Sequence, residues 1–574
     1  MRGSAGVRVA IATALVVLAA PAVAWGHAER PTQFPDHTSG SVPDYRTSDV
    51  NGGSTLFVCN GTSQARIDSQ VTDATAKQRN LDLLAQCRTA GYEHIQQAVN
   101  AAGNWDRILV LPGVYKEEPS REASDEPEEC KDMTVTAETI PGTGLDLEGK
   151  AASPSYGFQR TCPNAQNLIG IMGDADTDDF DGKPDDPDGR WCDDKCDIQI
   201  EGTGDTRDDV LIQGDKHKLN VIRADRADGI YLKNFTVEFS DFNNIYALET
   251  NGFRFDDIES RYSREYGLLS FSSDNGLYEK LDAHHAGDSG VYPGSGPEGE
   301  CKRYGIEIRN VDSHDNTIGY SGTAGNGVYA HGNRFHDNAA GMTTDSFASG
   351  HPGMPQDCAK WENNQIYSNN NNLFSDDRDR YCQQTAYPKR DPNKVCPTFQ
   401  VPVGTGLLIA GGNNNIVGGD TARGNTIYDN WRSGTRLLYV PAAARGEPEP
   451  SNQYDTSYGN RQIGNRMGVR PDGSADPNGL DFWWDEENGK EDLTTPGVLN
   501  CWQDNSAAKG VKLTSDPTTL PGCDGTRAFR PGNAAKIASQ ATCATWDPET
   551  NTDPPGCDWF TLPPEPQPKK PSKR

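Results

Sequence analysis

One short phrase recurs through the middle of the chain, and this repeat restricts the possible folds more than any other feature of the sequence. A glycine followed by alternating apolar and polar residues returns at intervals of 23, 24, 29 and 22 residues. The phrases are GIYLKNFTV from Gly229, GFRFDDIES from Gly252, GLYEKLDAH from Gly276, GIEIRNVDS from Gly305 and GVYAHGNRF from Gly327. Such alternation is typical of a short strand with one buried face, and the Asn, Asp and Gly between phrases are typical of turns.

A unit of about 23 residues cannot bury its own apolar face, but it can do so by stacking on its neighbours. The repeat therefore predicts an all-β fold, a single-stranded right-handed parallel β-helix in which coils stack at about 4.8 Å. Leucine-rich repeats have a similar length but a different phrase, and an antiparallel sandwich would not repeat so regularly. Asparagines at the turns are expected to stack as ladders between coils.

The rest of the chain is expected to close the two ends of the stack, because exposed sheet edges need covering. The β-helix is predicted over residues 92–440, with an Asp- and Cys-rich insertion at about 173–196. The flanking regions are a signal peptide over 1–24, an N-terminal cap over 25–91, a disulfide-stapled C-terminal cap region over 441–560 and a disordered tail over 561–574.

The N-terminal residues have the pattern of a secretory signal peptide. Two arginines precede an apolar run, and Ala22-Val23-Ala24 forms a cleavage site. The mature protein is expected to be secreted and monomeric, without a membrane span after cleavage, because no later stretch approaches the ~20 apolar residues that a span needs. An uncleaved anchor is the alternative.

The 14 cysteines suit an oxidising compartment. Three pairs that are close in sequence are predicted to be staples on loops: Cys192 with Cys196, Cys382 with Cys396, and Cys543 with Cys557. A zinc site at the first pair is the alternative. The net charge of −29 argues against nucleic acid as a partner, because binding to phosphates needs Lys and Arg.

Two segments resemble known proteins. IQQAVNAA at 95–102, followed by ILVLPGVY at 108–115, resembles the opening of secreted right-handed parallel β-helix proteins of the pectate-lyase-like superfamily. GDSGVY from Gly287 is similar to a phrase of bacterial parallel β-helix repeat proteins. The superfamily includes polyuronate lyases, polygalacturonases, mannuronan epimerases and copper-loading proteins, so the resemblance implies the fold and an extracellular polysaccharide as partner. The catalytic motifs of these enzymes are missing from this sequence, and one fold hosts many chemistries.

Six of the ten histidines lie between His284 and His351. Aligning the repeats by their turns places His284, His314 and His336 in one column, about 5 Å apart in successive coils. Arg261 is expected to precede them in the same column, with Asp315 beside His314.

Three interpretations of this column stay open. In the first, the protein lyses or epimerises a uronate-type polysaccharide, with catalytic residues among His284, His314, His336, Asp315, Arg261 and Arg309. An imidazole can remove the C5 proton of a uronate near neutral pH, and an arginine can neutralise the carboxylate. In the second, the histidines form a polar ladder in a non-catalytic carbohydrate-binding or surface structural protein. In the third, they bind copper or zinc in a metal-handling protein.

A second candidate site lies in GDADTDDFDGKPDDPDG, from Gly173. Alternating aspartates before a glycine are similar to extracellular calcium loops, in which hard carboxylate oxygens wrap the ion. The sequence predicts a structural Ca2+ site, with a solvated acidic loop as the alternative. The predicted ligands are Asp174, Asp176, Asp178 and Asp181.

Overall fold

The computed structural model describes a stack of parallel coils. It describes residue 30 and residues 32–121, 155–175, 190–347, 351–419, 422–440, 456–487, 500–524, 532–546 and 553–567. All pairings between the strands of this part of the chain are parallel, and each strand pairs with its counterpart one coil further along. The predicted parallel β-helix is therefore confirmed.

Each coil contributes strands to three faces, which we call A, B and C. Two long strands, β8 (Ile230–Glu238) and β10 (Asn251–Arg261), pair along both face A and face B. The other strands of face A are β1 (Thr55–Val58), β2 (Arg107–Val110), β5 (Gln199–Gly202), β12 (Asp274–Glu279), β15 (Ile306–Arg309), β18 (Val328–His331), β21 (Lys360–Glu362), β24 (Ile416–Gly418), β27 (Arg461–Ile463) and β30 (Cys501–Gln503).

Faces B and C complete the coils. Face B contains β3 (Gly113–Tyr115), β6 (Val210–Gln213), β13 (Asp282–His284), β16 (Asp312–His314), β19 (Arg334–His336), β22 (Gln365–Tyr367), β25 (Thr426–Tyr428), β28 (Arg466–Met467) and β31 (Ser506–Ala507). Face C contains β4 (Asn167–Met172), β7 (Asn220–Asp225), β9 (Asn243–Leu248), β11 (Tyr266–Phe271), β14 (Ser289–Gly294), β17 (Ile318–Tyr320), β20 (Ala340–Asp345), β23 (Thr405–Ala410), β26 (Ser433–Leu438), β29 (Phe482–Trp484) and β32 (Ser515–Asp516).

Helices flank the stack rather than forming its walls. A short helix over Ile95–Ala101 precedes β2, and one continuous apolar cluster fills the coils from Val58 to Trp502. The α-helices are α1 (Ser63–Ser69), α2 (Ala74–Ala90), α3 (Ile95–Ala101), α4 (Glu118–Arg121), α5 (Tyr156–Thr161), α6 (Asp376–Gln384) and α7 (Ala534–Cys543). None of the helices that the structure describes is long and apolar enough to cross a bilayer.

The stack extends past residues 92 and 440 on both sides. Strand β1 pairs with β2 at the N-terminal end, and β27 to β32 continue all three faces as far as Asp516. The coils built by β27 to β32 do not keep the 23-residue repeat, because long loops separate their strands of only two or three residues.

The predicted asparagine ladders are present at the turns. In the turn between faces A and B, Asn333, Asn364, Asn425, Asn465 and Asn505 form one ladder, in which each amide donates to the next side-chain oxygen at 2.9–3.1 Å. A second ladder, in the turn between faces B and C, runs from Asn316 to Asn478. The same side chains also satisfy buried backbone groups: Asn364 accepts from the backbone amide of Asn333 at 3.1 Å and donates to the carbonyl oxygen of Ala330 at 3.0 Å.

The three predicted staples are disulfides, and they close the bonds Cys192–Cys196, Cys382–Cys396 and Cys543–Cys557. The zinc alternative at Cys192 and Cys196 is excluded, because both sulfurs are bonded to each other. Between cysteines that both lie in the described ranges, three further disulfides join Cys59 to Cys87, Cys301 to Cys358 and Cys501 to Cys523.

Candidate functional site

The histidine column, defined as His284, His314 and His336, has the predicted register. Arg261 pairs with His284, His284 with His314, and His314 with His336. The ring centroids of His284 and His314 are 5.0 Å apart with an angle of 14° between the planes, and those of His314 and His336 are 5.3 Å apart with an angle of 12°. Repeats that were aligned only by their turns therefore placed these imidazoles correctly.

Carboxylates hold both ring nitrogens of His314. Its Nδ1 lies 2.7 Å from Asp315 and its Nε2 lies 3.1 Å from Asp282. A ring between two carboxylates donates from both nitrogens and is an imidazolium. Burial lowers the pKa of His314, but the hydrogen bonds to the two aspartates outweigh it and raise the pKa to about 10. His314 thus offers no lone pair with which to accept a proton from a substrate.

His336 repeats this arrangement, with Nδ1 2.7 Å from Asp337 and Nε2 2.8 Å from Asp312. Its pKa is also raised, because the two aspartates outweigh the opposite effect of burial. For His314 and His336 the geometry favours the polar ladder among the three interpretations.

The environment of His284, at the N-terminal end of the column, differs from that of His314 and His336. Nε2 of His284 lies 3.0 Å from Glu259, and its Nδ1 lies 2.7 Å from Nδ1 of His285. Arg261 donates to Glu238 at 2.8 Å and to Glu259 at 3.0 Å. Burial and the neighbouring His284 lower the pKa of His285 to about 4, so this imidazole is neutral at physiological pH.

The ion pairs of the column predict a pH-dependent stability. The folded-state pKa of His314, about 10, lies above the ordinary value of 6.5. The stabilisation of the folded state by protonated His314 is therefore fully present below about pH 6.5 and is lost as the pH rises towards 10. We expect His314→Gln to lower the free energy of unfolding by about 2 kcal/mol at pH 6, a value already discounted for solvent screening of a partly exposed pair. Denaturant unfolding of both proteins across this range measures the difference, which should shrink as the pH rises; a difference that does not change with pH contradicts the ladder.

Arg309, the remaining predicted residue, lies on face A and not in the column. It pairs in register with His331 of the next coil. Its Nε donates to Glu279 at 3.1 Å and its Nη1 donates to Glu307 at 3.1 Å. Arg309 is thus part of a second cluster, which we call the face A site and define as Glu307, Arg309, Tyr329, His331 and Lys360.

The histidine of the face A site has one nitrogen fixed and one open. Nε2 of His331 lies 2.9 Å from Oε1 of Glu307, the same oxygen that Arg309 contacts. Within the described part of the chain no group hydrogen-bonds to Nδ1, and the side chain is 29% exposed. A carboxylate at Nε2 fixes the tautomer whose proton is on Nε2, which leaves the Nδ1 lone pair facing outward.

This imidazole ends a row of three stacked rings, in which the other two are tyrosines. The ring of Tyr329 stacks on His331 with centroids 4.5 Å apart, and Tyr304 stacks on Tyr329 at 5.3 Å. The Tyr329 hydroxyl donates to Glu362, whose carboxylate also pairs with Lys360 at 2.8 Å. Burial and this bond to Glu362 raise the pKa of Tyr329, so its phenol stays protonated.

The face A site therefore combines the groups that chemistry next to a carboxylate needs. Neighbouring coils, about 4.8 Å apart, supply an oriented imidazole base from β18 and a guanidinium from β15. A protonated phenol and an ammonium group follow at Tyr329 and Lys360, which are also partners in register. All lie on the outer surface of one sheet, where an extended chain can lie along the coils.

Sequence reasoning missed Glu307, Tyr329 and His331, although the signal was present. In the phrases GIEIR and GVYAH, Arg309 and His331 both stand at the fifth position. His284, His314 and His336 stand at or directly after the end of the phrase, so an alignment of the turns brings out these histidines and not Arg309 and His331.

The predicted calcium ligands fall mostly beyond the described chain. Asp176, Asp178 and Asp181 lie outside the described residues. Asp174 is buried and its carboxylate accepts from Arg226 at 2.8 Å. The calcium site stays a prediction.

Comparisons with known proteins concern the fold. No family model and no curated protein matches the chain. Similar solved structures include the pectate lyase Pel9A, with 13% identity and a TM-score of 0.35 over 83% of this chain and 80% of that chain. The A-module of the Azotobacter vinelandii mannuronan C-5 epimerase AlgE4 has 13% identity and a TM-score of 0.38 over 76% of this chain and 94% of that chain. A double mutant of the periplasmic alginate epimerase AlgG has 9% identity and a TM-score of 0.31 over 56% of this chain and 68% of that chain. The parallel β-helix is established by the strand pairing of this chain, and its function is argued from its own contacts.

Proposed function

We propose that the protein is a secreted enzyme that acts on a uronate-type polysaccharide at the face A site, by lysis or epimerisation. The observation that carries the proposal is His331, which is fixed at Nε2 by Glu307 and open at Nδ1. This is the arrangement of a general base whose partner carboxylate stabilises the charge formed when a proton is taken.

In the proposed reaction, Nδ1 of His331 removes the proton at C5 of a uronate residue. The electron pair of the C5–H bond moves into the adjacent carboxylate, where Arg309 and Lys360 stabilise the added charge. In lysis, the pair returns to form a C4=C5 double bond while the C4–O bond breaks and the leaving oxygen takes a proton from water. In epimerisation, C5 instead receives a proton from water on its opposite face, because Tyr329 stacks on His331 and lies on the same side of the ligand as the base.

The cations of the face A site are already paired with carboxylates. The net charge is −29, so a uronate chain is repelled from most of the surface. Arg309 pairs with Glu279 and Glu307 at 3.1 Å, and Lys360 pairs with Glu362 at 2.8 Å. In the proposed complex a uronate carboxylate joins these pairs at Arg309 and Lys360.

A second candidate function, carbohydrate binding without chemistry, is favoured by Tyr304. Its side chain is 41% exposed and its ring is stacked on Tyr329. An exposed, rigid aromatic ring can stack on a sugar face at little cost in conformational entropy.

Proton NMR of alginate, pectate and neutral glycans before and after incubation with the protein tests both functions. New alkene signals indicate a lyase, and altered uronate signals without them indicate an epimerase. Unchanged spectra of every uronate polymer, together with line broadening on binding, would reject the enzyme in favour of the binding protein.

A further inference from the structure

A small cleft lies beside the His284 end of the histidine column, on a different part of the molecule from the face A site. One wall consists of turns that follow face B, including Tyr262 and His285, and the roof is a loop inserted between β22 and β23. The charged groups that line it are Lys216, Arg264, Arg390, Asp391 and Lys394. We call these residues, with Tyr387, the cationic cleft.

The roof is held in place by specific bonds. The Tyr387 hydroxyl donates to the carbonyl oxygens of Ser240 at 2.6 Å and Tyr262 at 3.0 Å, so it connects the loop to two successive coils. The Cys382–Cys396 disulfide closes the loop on either side of Tyr387. The cleft is therefore formed before any ligand arrives, which lowers the cost of binding.

The cations surround one aromatic ring. Nζ of Lys216 lies 5.7 Å from the Tyr387 ring centroid, and Cζ of Arg264 lies 5.9 Å from the same centroid. Lys216 also donates to the backbone carbonyl oxygen of Arg390 at 3.2 Å. The Arg390 side chain lines the cleft, and its Nε and Nη2 donate to the roof carbonyls of Thr385 and Cys382 at 2.8 Å. Positive groups thus converge from a coil turn, a second turn and the roof.

Three of the four cations at the cleft lack an ion pair among the described residues. Lys216, Arg390 and Lys394 make none within 4.0 Å, whereas Arg264 pairs with Asp241 at 3.0 Å. Asp391 lines the cleft as well. The cleft therefore offers an anionic ligand three cations that no carboxylate contacts directly.

We propose that the cationic cleft binds a tetrahedral oxyanion, phosphate or sulfate, either free or as an ester on a glycan. Donors from three directions suit a tetrahedral group better than a planar carboxylate. The neutral His285 at the wall adds a hydrogen-bonding group without adding charge. The site goes beyond the proposed uronate chemistry, because it lies at the turns after face B and takes a different anion.

Isothermal titration of the full-length protein with sodium phosphate, sodium sulfate and sodium acetate tests the site. We expect saturable binding of phosphate or sulfate with a Kd below about 1 mM, and at least tenfold weaker binding of acetate. Arg390→Gln and, independently, Lys394→Gln should each weaken phosphate binding about tenfold. Lys389→Gln is the matched control, because Lys389 is exposed on the same loop and does not line the cleft.

The outcomes separate the proposal from its alternatives. Absence of saturable heat at about 10 mM phosphate and sulfate, or equal weakening by Lys389→Gln, overturns it. Two variants guard against misfolding, since the Lys394 side chain is exposed and its loss leaves the packing intact. Tighter binding of a sulfated than of an unsulfated oligosaccharide identifies the ester as the source, and tighter binding of inorganic phosphate identifies the free ion. His331→Gln should leave this binding unchanged, so failure here and failure of the proposed enzyme are distinguishable.

Discussion

His331→Gln is expected to reduce polysaccharide turnover by at least about 1000-fold while leaving the thermal stability nearly unchanged. A glutamine amide can donate to Glu307 in place of Nε2–H, but it has no basic nitrogen to replace Nδ1. The loss should therefore appear in kcat and less in KM, because the removed interaction is made in the transition state. Product formation by NMR measures it, with the melting temperature as the check on folding.

His314→Gln is the matched control within the same fold. His314 lies in the adjacent column and both of its nitrogens are bonded to carboxylates, so its loss should weaken stability and change turnover less than about threefold. The opposite result, loss of turnover with His314→Gln and activity with His331→Gln, would return catalysis to the histidine column and reject the face A site.

The repeat allowed the fold and the register of the column to be predicted from sequence. Because a parallel coil returns every strand to the same position, residues at equivalent places relative to the turns of successive coils become neighbours. That rule placed Arg261, His284, His314 and His336 in one row, and it would also have placed Arg309 beside His331.

What the repeat could not supply is the environment of each ring. Asp315 follows His314 and Gly332 follows His331 in the sequence, but only the structure shows that the Asp315 carboxylate turns back onto Nδ1 of His314. Whether an imidazole is a fixed cation or an open base depends on that one contact. The cationic cleft was also beyond sequence reasoning, because the insertion that carries Tyr387 and Arg390 returns to coils about 150 residues earlier.

Asn425→Ala is expected to lower the local free energy of unfolding by about 3 kcal/mol. Asn425 is fully buried in the middle of its ladder. Its oxygen accepts from the backbone and side-chain amides of Asn364 at 3.0 and 3.1 Å, and its own amide donates to Asn465 at 3.0 Å and to the Trp361 carbonyl at 2.8 Å. Alanine removes all four bonds and leaves these partners buried without water, which costs more than the loss of exposed bonds.

Asn505→Ala provides the comparison, because Asn505 ends the same ladder within the described chain and is only half-buried. It makes three of the four kinds of bond that Asn425 makes. Its oxygen accepts from the backbone and side-chain amides of Asn465 at 2.9 and 3.0 Å, and its own amide donates to the Gln462 carbonyl at 2.8 Å. Water can replace these bonds at the end of the stack, so the cost should be about 1 kcal/mol or less. Hydrogen exchange of the backbone amides in both variants measures the opening of individual coils, since a stack of repeats need not unfold in one step. Equal protection factors in the two variants would mean that the ladder contributes little, and that the apolar interior alone holds the coils together.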